Sequence, residues 1–219
     1  MNRKAVVIAS FGTGVPEARG SITAVEAALS AAADGYICVR VFTSPAIRRI
    51  LKGRGEDVPG LTEALEHLAA QGVRQVAVQP THLLYGCEYD RLKAEAEALA
   101  GRFASLETGR PLLADSGSVR RFAQNLSRDH PAEEGTVTVF MGHGAGGFAN
   151  EVYPAMQSAL DTLGRSDLCI GAMKGRPDLD DILRRLEPGE ERKAAESTLA
   201  DNLDPEVAAK MAALFGRKE

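Results

Sequence analysis

The chain has 219 residues, enough for one large domain or two small ones. Hydrophobic residues make up 44% and charged residues 26%, ordinary values for a folded globular protein. A net charge of -4, the absence of Trp and an aromatic content of 5% argue against a basic field or a base-stacking platform, and so against a nucleic-acid partner.

Cys38, Cys87 and Cys169 are odd in number and widely spaced, with no CxxC pair. That pattern fits free thiols in a reducing compartment better than a disulfide framework. Basic residues followed by a short apolar run at Met1–Ser10 resemble the start of a signal peptide, but the run is too short and leads straight into Phe-Gly-Thr-Gly. It reads as a first strand. No segment is long enough to span a bilayer, so a cytoplasmic protein is the default expectation.

In chain order, Lys4 to Ser10 predicts a buried strand and Phe11 to Gly14 a turn. A helix is expected from about Pro16, with Ile22, Val25, Ala28 and Leu29 at helical spacing, then a strand from Tyr36 to Phe42. Ser44-Pro45 opens a helix carrying Ile47, Ile50 and Leu51, proline being favourable in a first turn. Residues 53–59 form a polar loop, Leu61, Leu65 and Leu68 mark the next helix, and Gln75 to Gln79 predicts the third strand. The Ala-, Leu-, Glu- and Lys-rich run from Tyr89 to Ala104 predicts a helix, and Thr108 to Leu113 a fourth strand. After a short helix over Val119 to Leu126, residues 127–135 form a polar connection containing Pro131, which reads as the boundary between a lobe 1–126 and a lobe 136–219.

The second lobe begins with a strand from Thr136 to Met141 that ends in Gly142, His143 and Gly144. Glycines let the backbone turn sharply there, so the imidazole stands clear of the sheet, and carboxyl ends of strands are where open α/β sheets place their ligands. His143 is therefore the first candidate for a ligand or base. A helix from Phe148 to about Leu163, a strand from Asp167 to Met173 and a helix from Asp178 to Leu186 follow. Asp204-Pro205 is a good N-cap and N1 pair for a last helix carrying Val207, Met211 and Leu214. Strands alternating with helices imply parallel βαβ units. The halves read as a degenerate repeat, Phe11-Gly12-Thr13-Gly14 corresponding to His143-Gly144-Ala145-Gly146, with the second half shortened and finished by a helical tail.

Several segments stand in a telling order. They are Val7-Ile-Ala-Ser-Phe-Gly-Thr13, Arg19 with Ile22, Phe42-Thr-Ser44, and Gln79-Pro-Thr-His-Leu-Leu-Tyr-Gly-Cys-Glu-Tyr89. Met141-Gly-His-Gly144, Ala149-Asn150 with Val152-Tyr153, and Gly175 followed by Pro177 complete the series. Over residues 4–186 the chain resembles the anaerobic, CbiK-type sirohydrochlorin cobaltochelatases, class II tetrapyrrole chelatases. The resemblance implies a chelatase-like α/β fold of two lobes, each a parallel sheet flanked by helices, with a cleft between them. It implies ATP-independent insertion of Co2+ into a sirohydrochlorin macrocycle for anaerobic cobalamin biosynthesis, with nickel and iron as related metals and the tetrapyrrole as the partner molecule. A non-catalytic tetrapyrrole- or metal-binding protein is the alternative.

Metal insertion needs a group that holds a divalent ion and a base that takes the protons of the pyrrole nitrogens, and neutral imidazole can do both. His143 matches the family's Gly-His-Gly histidine, so the resemblance assigns it metal ligand and proton acceptor. Ser10, Phe11, Gly12, Thr13, Arg19, His82, Glu88 and Gly144 are the candidate substrate-binding residues. Arg19 is a candidate because a guanidinium pairs well with carboxylate. The family has a Glu just before the position of Gly175, where this chain has Lys174, and a second metal-binding His in a later Gly-Asp-His turn, for which this sequence shows no counterpart after Leu186. By the internal repeat Gly86-Cys-Glu88 corresponds to that turn, so Glu88 either faces the cleft or is a first-turn carboxylate favoured by the helix dipole. His82 is read as cleft lining, with metal binding and a structural hydrogen bond as the other roles. His67 and His130 read as solvated, and Cys87 as a small thiol near the cleft. The tail reads as an oligomerisation helix, giving a homo-oligomer, or as a cover over the edge of the second sheet.

Overall fold

The computed structural model describes residues 3–186. The expected last helix with Val207, Met211 and Leu214, and the rest of the tail from Glu187, lie outside the described residues. The chain divides into two compact units, Met1–Ala114 and Asp115–Glu219.

The first unit is a parallel four-stranded sheet of order β2-β1-β3-β4. Its strands are β1 (Lys4–Ser10), β2 (Ile37–Phe42), β3 (Gln75–Pro80) and β4 (Ser105–Thr108). Helices α1 (Arg19–Ala32), α2 (Pro45–Gly53), α3 (Leu61–Ala70) and α4 (Cys87–Leu99) connect them. A central parallel strand is covered on both faces and so reads as an unbroken apolar run, as Ala5, Val7, Ile8 and Ala9 do. Ala5, Val7 and Ala9 pack in one cluster with Leu61, Leu65 and Leu68 of α3 and Leu92 and Ala96 of α4. Ser10, on the opposite face, meets α1. The chain thus leaves β1 toward one face and β3 toward the other, and these neighbouring strands frame a topological switch point.

The fourth strand lies earlier than expected. It is Ser105–Thr108, paired with Gln75–Val78, and not Thr108 to Leu113. Gly109 packs against the Gln79 side chain, and Pro111 has no N–H to give a ladder. The amides of Leu112 and Leu113 instead donate to the carbonyls of His82 and Leu83, at 3.0 and 2.8 Å. The helix expected over Tyr89 to Ala104 is α4, starting two residues earlier and passing into a single 3-10 turn at Ala100–Arg102.

The second unit contains α5 (Ser116–Asp129), β5 (Thr138–Gly144), a 3-10 turn (Gly147–Glu151), α6 (Val152–Thr162), β6 (Leu168–Lys174) and α7 (Leu179–Arg185). The described strands β5 and β6 pair in parallel. Capping boxes start α5 and α7: the Asp115 carboxylate accepts from the Ser118 N–H and the Asp178 carboxylate from the Asp181 N–H, at 2.8 and 2.9 Å. Helix α5 runs to Asp129, three residues into the stretch read from sequence as a connection. His130, expected in solvent, is exposed and also sets its ring edge-on to Phe140, centroids 5.0 Å apart. The outer edge of β6 is covered by the Gln157 amide, which donates to the Leu168 carbonyl and accepts from the Ile170 N–H, at 3.2 and 2.8 Å. Edge strands without such cover invite pairing with another chain. Among the described residues no helix is long and apolar enough to cross a membrane.

Candidate functional site

In the second unit, His143 lies within β5. The strand does not end at Met141, because Gly142 and Gly144 continue the ladder opposite Ala172 and Lys174. Each glycine has a steric reason. A Cβ on Gly142 would fall 2.6 Å from the Tyr153 ring. One on Gly144, at φ +87°, would fall 1.7 Å from the Lys174 carbonyl oxygen. The Gly144 N–H donates to the Tyr153 hydroxyl at 3.0 Å. The backbone on either side of His143 is thereby fixed, while its side chain is exposed and makes no hydrogen bond to a described residue.

Lys174 pairs with Gly144, one residue past His143. Successive side chains of a strand alternate, so the Lys174 side chain leaves the ribbon on the face opposite the His143 ring. The face of His143 is that of Met141, which packs against Ile182 of α7. The other face is that of Gly142, under Tyr153 of α6. Beyond β6, Asn150 Nδ2 donates to the Arg176 carbonyl at 2.7 Å, and a Cβ on Gly175 would fall 2.4 Å from Asn150 Oδ1. This contact gives a reason for Asn150 and Gly175 in the motif series.

In the first unit, the switch point gathers the loop after β1 and the loop after β3. Phe11, Gly12 and Thr13 come from the first, His82 from the second, and Glu88 from the first turn of α4. Phe11 is 48% exposed, and Leu83, Tyr85 and Leu112 at the same end of the sheet are 52%, 39% and 53% exposed. The last three were missed by the sequence reading. Their signal was an apolar run in a loop. Gly12, at φ +91°, passes so close to Phe42 that a Cβ would fall 2.7 Å from its ring. The Thr13 hydroxyl accepts from the Val15 N–H at 3.1 Å and shapes the turn.

Ser10 and Arg19 are engaged internally. Ser10 is 1% exposed, and its hydroxyl donates to Glu26 Oε1 at 3.0 Å. Glu26, itself buried, also receives the Arg40 guanidinium through Nε at 2.6 Å. The Arg19 guanidinium is ion-paired with Glu56. Both nitrogens of the half-buried His82 ring and Oε2 of Glu88 are buried without a hydrogen-bond partner. Burial pushes the His82 pKa down, against an upward pull from the Glu88 charge.

Two cavities lie elsewhere. One of 310 Å³ runs along the β6 edge between Gln157, Ile170, Pro177 and Ile182, and one of 250 Å³ lies between α1 and β2 near Glu26 and Arg40. Neither is lined by His143, His82 or Glu88. Among the described residues no three His, Cys, Asp or Glu side chains gather to hold a metal ion. The three cysteines are free, Cys38 and Cys87 exposed and Cys169 buried.

The family model for cobalt chelatase, CbiK, matches residues 4–199. The chain belongs to the CbiK cobalt chelatase family. It is 34% identical over 187 residues to the sirohydrochlorin cobaltochelatase of Salmonella typhimurium, covering 84% of this chain and 70% of that protein. It is 32% identical over 193 residues to the sirohydrochlorin cobaltochelatase CbiKC of Nitratidesulfovibrio vulgaris, covering 86% and 68%. In fold, this CbiK-family chain is similar to SirB from Bacillus subtilis with Fe3+, with a TM-score of 0.68, 15% identity, and 98% and 84% of the two chains covered. A cobalt complex of the sirohydrochlorin chelatase SirB from Bacillus subtilis subspecies spizizenii gives a TM-score of 0.64 at 15% identity, covering 98% and 83%. The α/β fold of parallel sheets flanked by helices is thus that of the chelatases.

Proposed function

We propose that this chain is a sirohydrochlorin cobaltochelatase, a lyase of anaerobic cobalamin biosynthesis that places Co2+ in the macrocycle without ATP. The observation that carries the reading is His143. An exposed, unpartnered imidazole stands between two sterically required glycines at the carboxyl end of β5, in a chain of the CbiK family. Neutral imidazole is a good donor to Co2+. A chelatase must also release its metal, and one imidazole holds a divalent ion weakly enough for four pyrrole nitrogens to take it over. Once the ion has left, the same ring is free to accept a proton. Phe11, Leu83, Tyr85 and Leu112 offer apolar surface suited to a flat macrocycle, with Gly12 and Thr13 shaping the loop and Gly144 holding the His143 backbone. The internal pairing of Ser10 and Arg19 makes them supports of that loop. Nickel and iron are the metals to compare with cobalt.

The test is anaerobic absorbance of sirohydrochlorin with Co2+ and protein, beside His143→Ala. The expected result is conversion faster than the protein-free control, lost in the variant by roughly 10²-fold or more. Spectral shifts on binding without faster insertion would make the protein a tetrapyrrole carrier and overturn the reading.

A further inference from the structure

The carboxyl end of β3 holds two side chains whose polar atoms are left unsatisfied. His82 Nδ1 and Nε2 and Glu88 Oε2 are all buried without a hydrogen-bond partner among the described residues. Arg91 Nη1 stands 3.9 Å from Glu88 Oε2, an ion-pair separation beyond hydrogen-bond length. A neutral imidazole always presents one N–H donor and one acceptor nitrogen, and leaving such a group dry costs about 1–3 kcal/mol. The backbone gives the ring little chance to relax. The carbonyls of His82 and Leu83 accept from the Leu112 and Leu113 amides, and the Thr81 N–H donates to the Ala9 carbonyl at 2.9 Å. The loop is thus tied to its neighbours on both sides, and neither ring nitrogen has a hydrogen-bond partner among the described residues.

Resting on the reading above, we infer that His82 accepts one of the two N–H protons of the macrocycle, and that the Glu88 carboxylate stabilises the imidazolium so formed. The balance is simple. A pyrrole N–H bond breaks, its electron pair becomes a donor to the incoming Co2+, and the proton forms an N–H bond on His82. The other pyrrole proton passes to water, and the His82 imidazolium then returns its own proton to water. Burial favours the neutral, proton-accepting form of His82 before reaction. The ionisable side chains on the elements that adjoin His82 are Tyr85 on the same loop, Cys87, Glu88, Tyr89, Asp90 and Arg91 at the start of α4, and Arg110 on the segment leading to Leu112. Glu88 is the one whose charge acts on the imidazole.

The experiment measures kcat and KM for Co2+ insertion into sirohydrochlorin between about pH 5 and 8, with the protein-free rate subtracted, for the wild type, His82→Gln and Glu88→Gln. General-base removal costs about 10²-fold or more in rate. His82→Gln is therefore expected to lower kcat by that factor at nearly unchanged KM, and to shift the acid limb of the profile. Glu88→Gln keeps the base but removes the charge that favours its protonated form. Its kcat falls less, and its acid limb moves to lower pH. A part-exposed side chain such as Glu88 is replaced without unfolding the unit, so this variant carries the test if His82→Gln folds poorly. An unchanged kcat and acid limb in His82→Gln, or an unmoved limb in Glu88→Gln, overturns the inference while leaving the chelatase reading intact. A wild type no faster than the protein-free control overturns both.

Discussion

The phenolic oxygen of Tyr153 accepts the Gly144 N–H at 3.0 Å, while its ring occupies the space a side chain on Gly142 would need. One residue of α6 thus fixes the strand on both sides of His143. Tyr153→Phe keeps the packing and leaves the Gly144 N–H unpaired, at an expected cost of about 1 kcal/mol. Gly142→Ala forces the ring aside and costs about 1–3 kcal/mol. Gly144→Ala is worse, since the residue has φ +87° and a Cβ would collide with the Lys174 backbone. Urea denaturation gives the order, and the rate of Co2+ insertion should fall in the same order as His143 loses its placement. Equal stability of Gly144→Ala and wild type would refute the steric account.

Ser10, Glu26 and Arg40 form a network under the β1 loop. The Glu26 carboxylate, 4% exposed, accepts from the Ser10 hydroxyl and pairs with Arg40, whose side chain is 42% exposed. Arg40 can therefore turn to water when its partner is lost, whereas Glu26 has nowhere to go. The structure predicts that Arg40→Met destabilises more than Glu26→Gln, because the first leaves a buried charge with one neutral donor. A loss of about 3 kcal/mol is expected for Arg40→Met, measured by denaturant titration. The reverse order would contradict it.

Acid stability offers a third check. Asp167 accepts two hydrogen bonds from Arg165, at 2.8 and 2.6 Å, and that guanidinium also holds the Ser127 hydroxyl at 2.9 Å, joining α5 to the approach of β6. The Arg165 hydrogen bond holds the Asp167 pKa below the usual carboxylate range. Because the folded value is the lower one, the pair's contribution is fully present above the ordinary value of about 3.9. It is lost as pH falls through the depressed one. Thermal melts from about pH 5 to pH 2 should show this loss in the wild type and a shallower one in Asp167→Asn. Parallel curves would exclude Asp167 as its source.

Much of the architecture follows from local pattern. The apolar run Ala5–Ala9 could only be a strand covered on both faces, and Ser44-Pro45 could hardly avoid starting a helix, since the Ser44 hydroxyl meets the Ile47 N–H at 3.4 Å as an N-cap. Composition located α4 but not its first turn or the 3-10 turn that ends it, because helix ends are set by caps and by what packs there. The fourth strand was misplaced for a related reason. Pro111-Leu112-Leu113 carries an apolar signal, yet Leu112 is 53% exposed, and the partner that selects a strand is the free edge of β3, distant in sequence.

For the site, a histidine between glycines was visible in the sequence because glycine there has a backbone meaning independent of the rest of the fold. The reasons for those glycines were not visible, since Tyr153 and Lys174 reach them only after α6 and β6 have packed. Tertiary structure alone decided that Ser10 turns inward to Glu26 and that Arg19 pairs with Glu56, and that His82 is left with a dry, unpaired ring. A carboxylate partner carries no local signature. Its position depends on crossovers that join residues 16 and 37 apart, and hydrogen bonds form between groups that meet in space. The sequence determined which groups were available, and the folded chain determined which of them remained free to act.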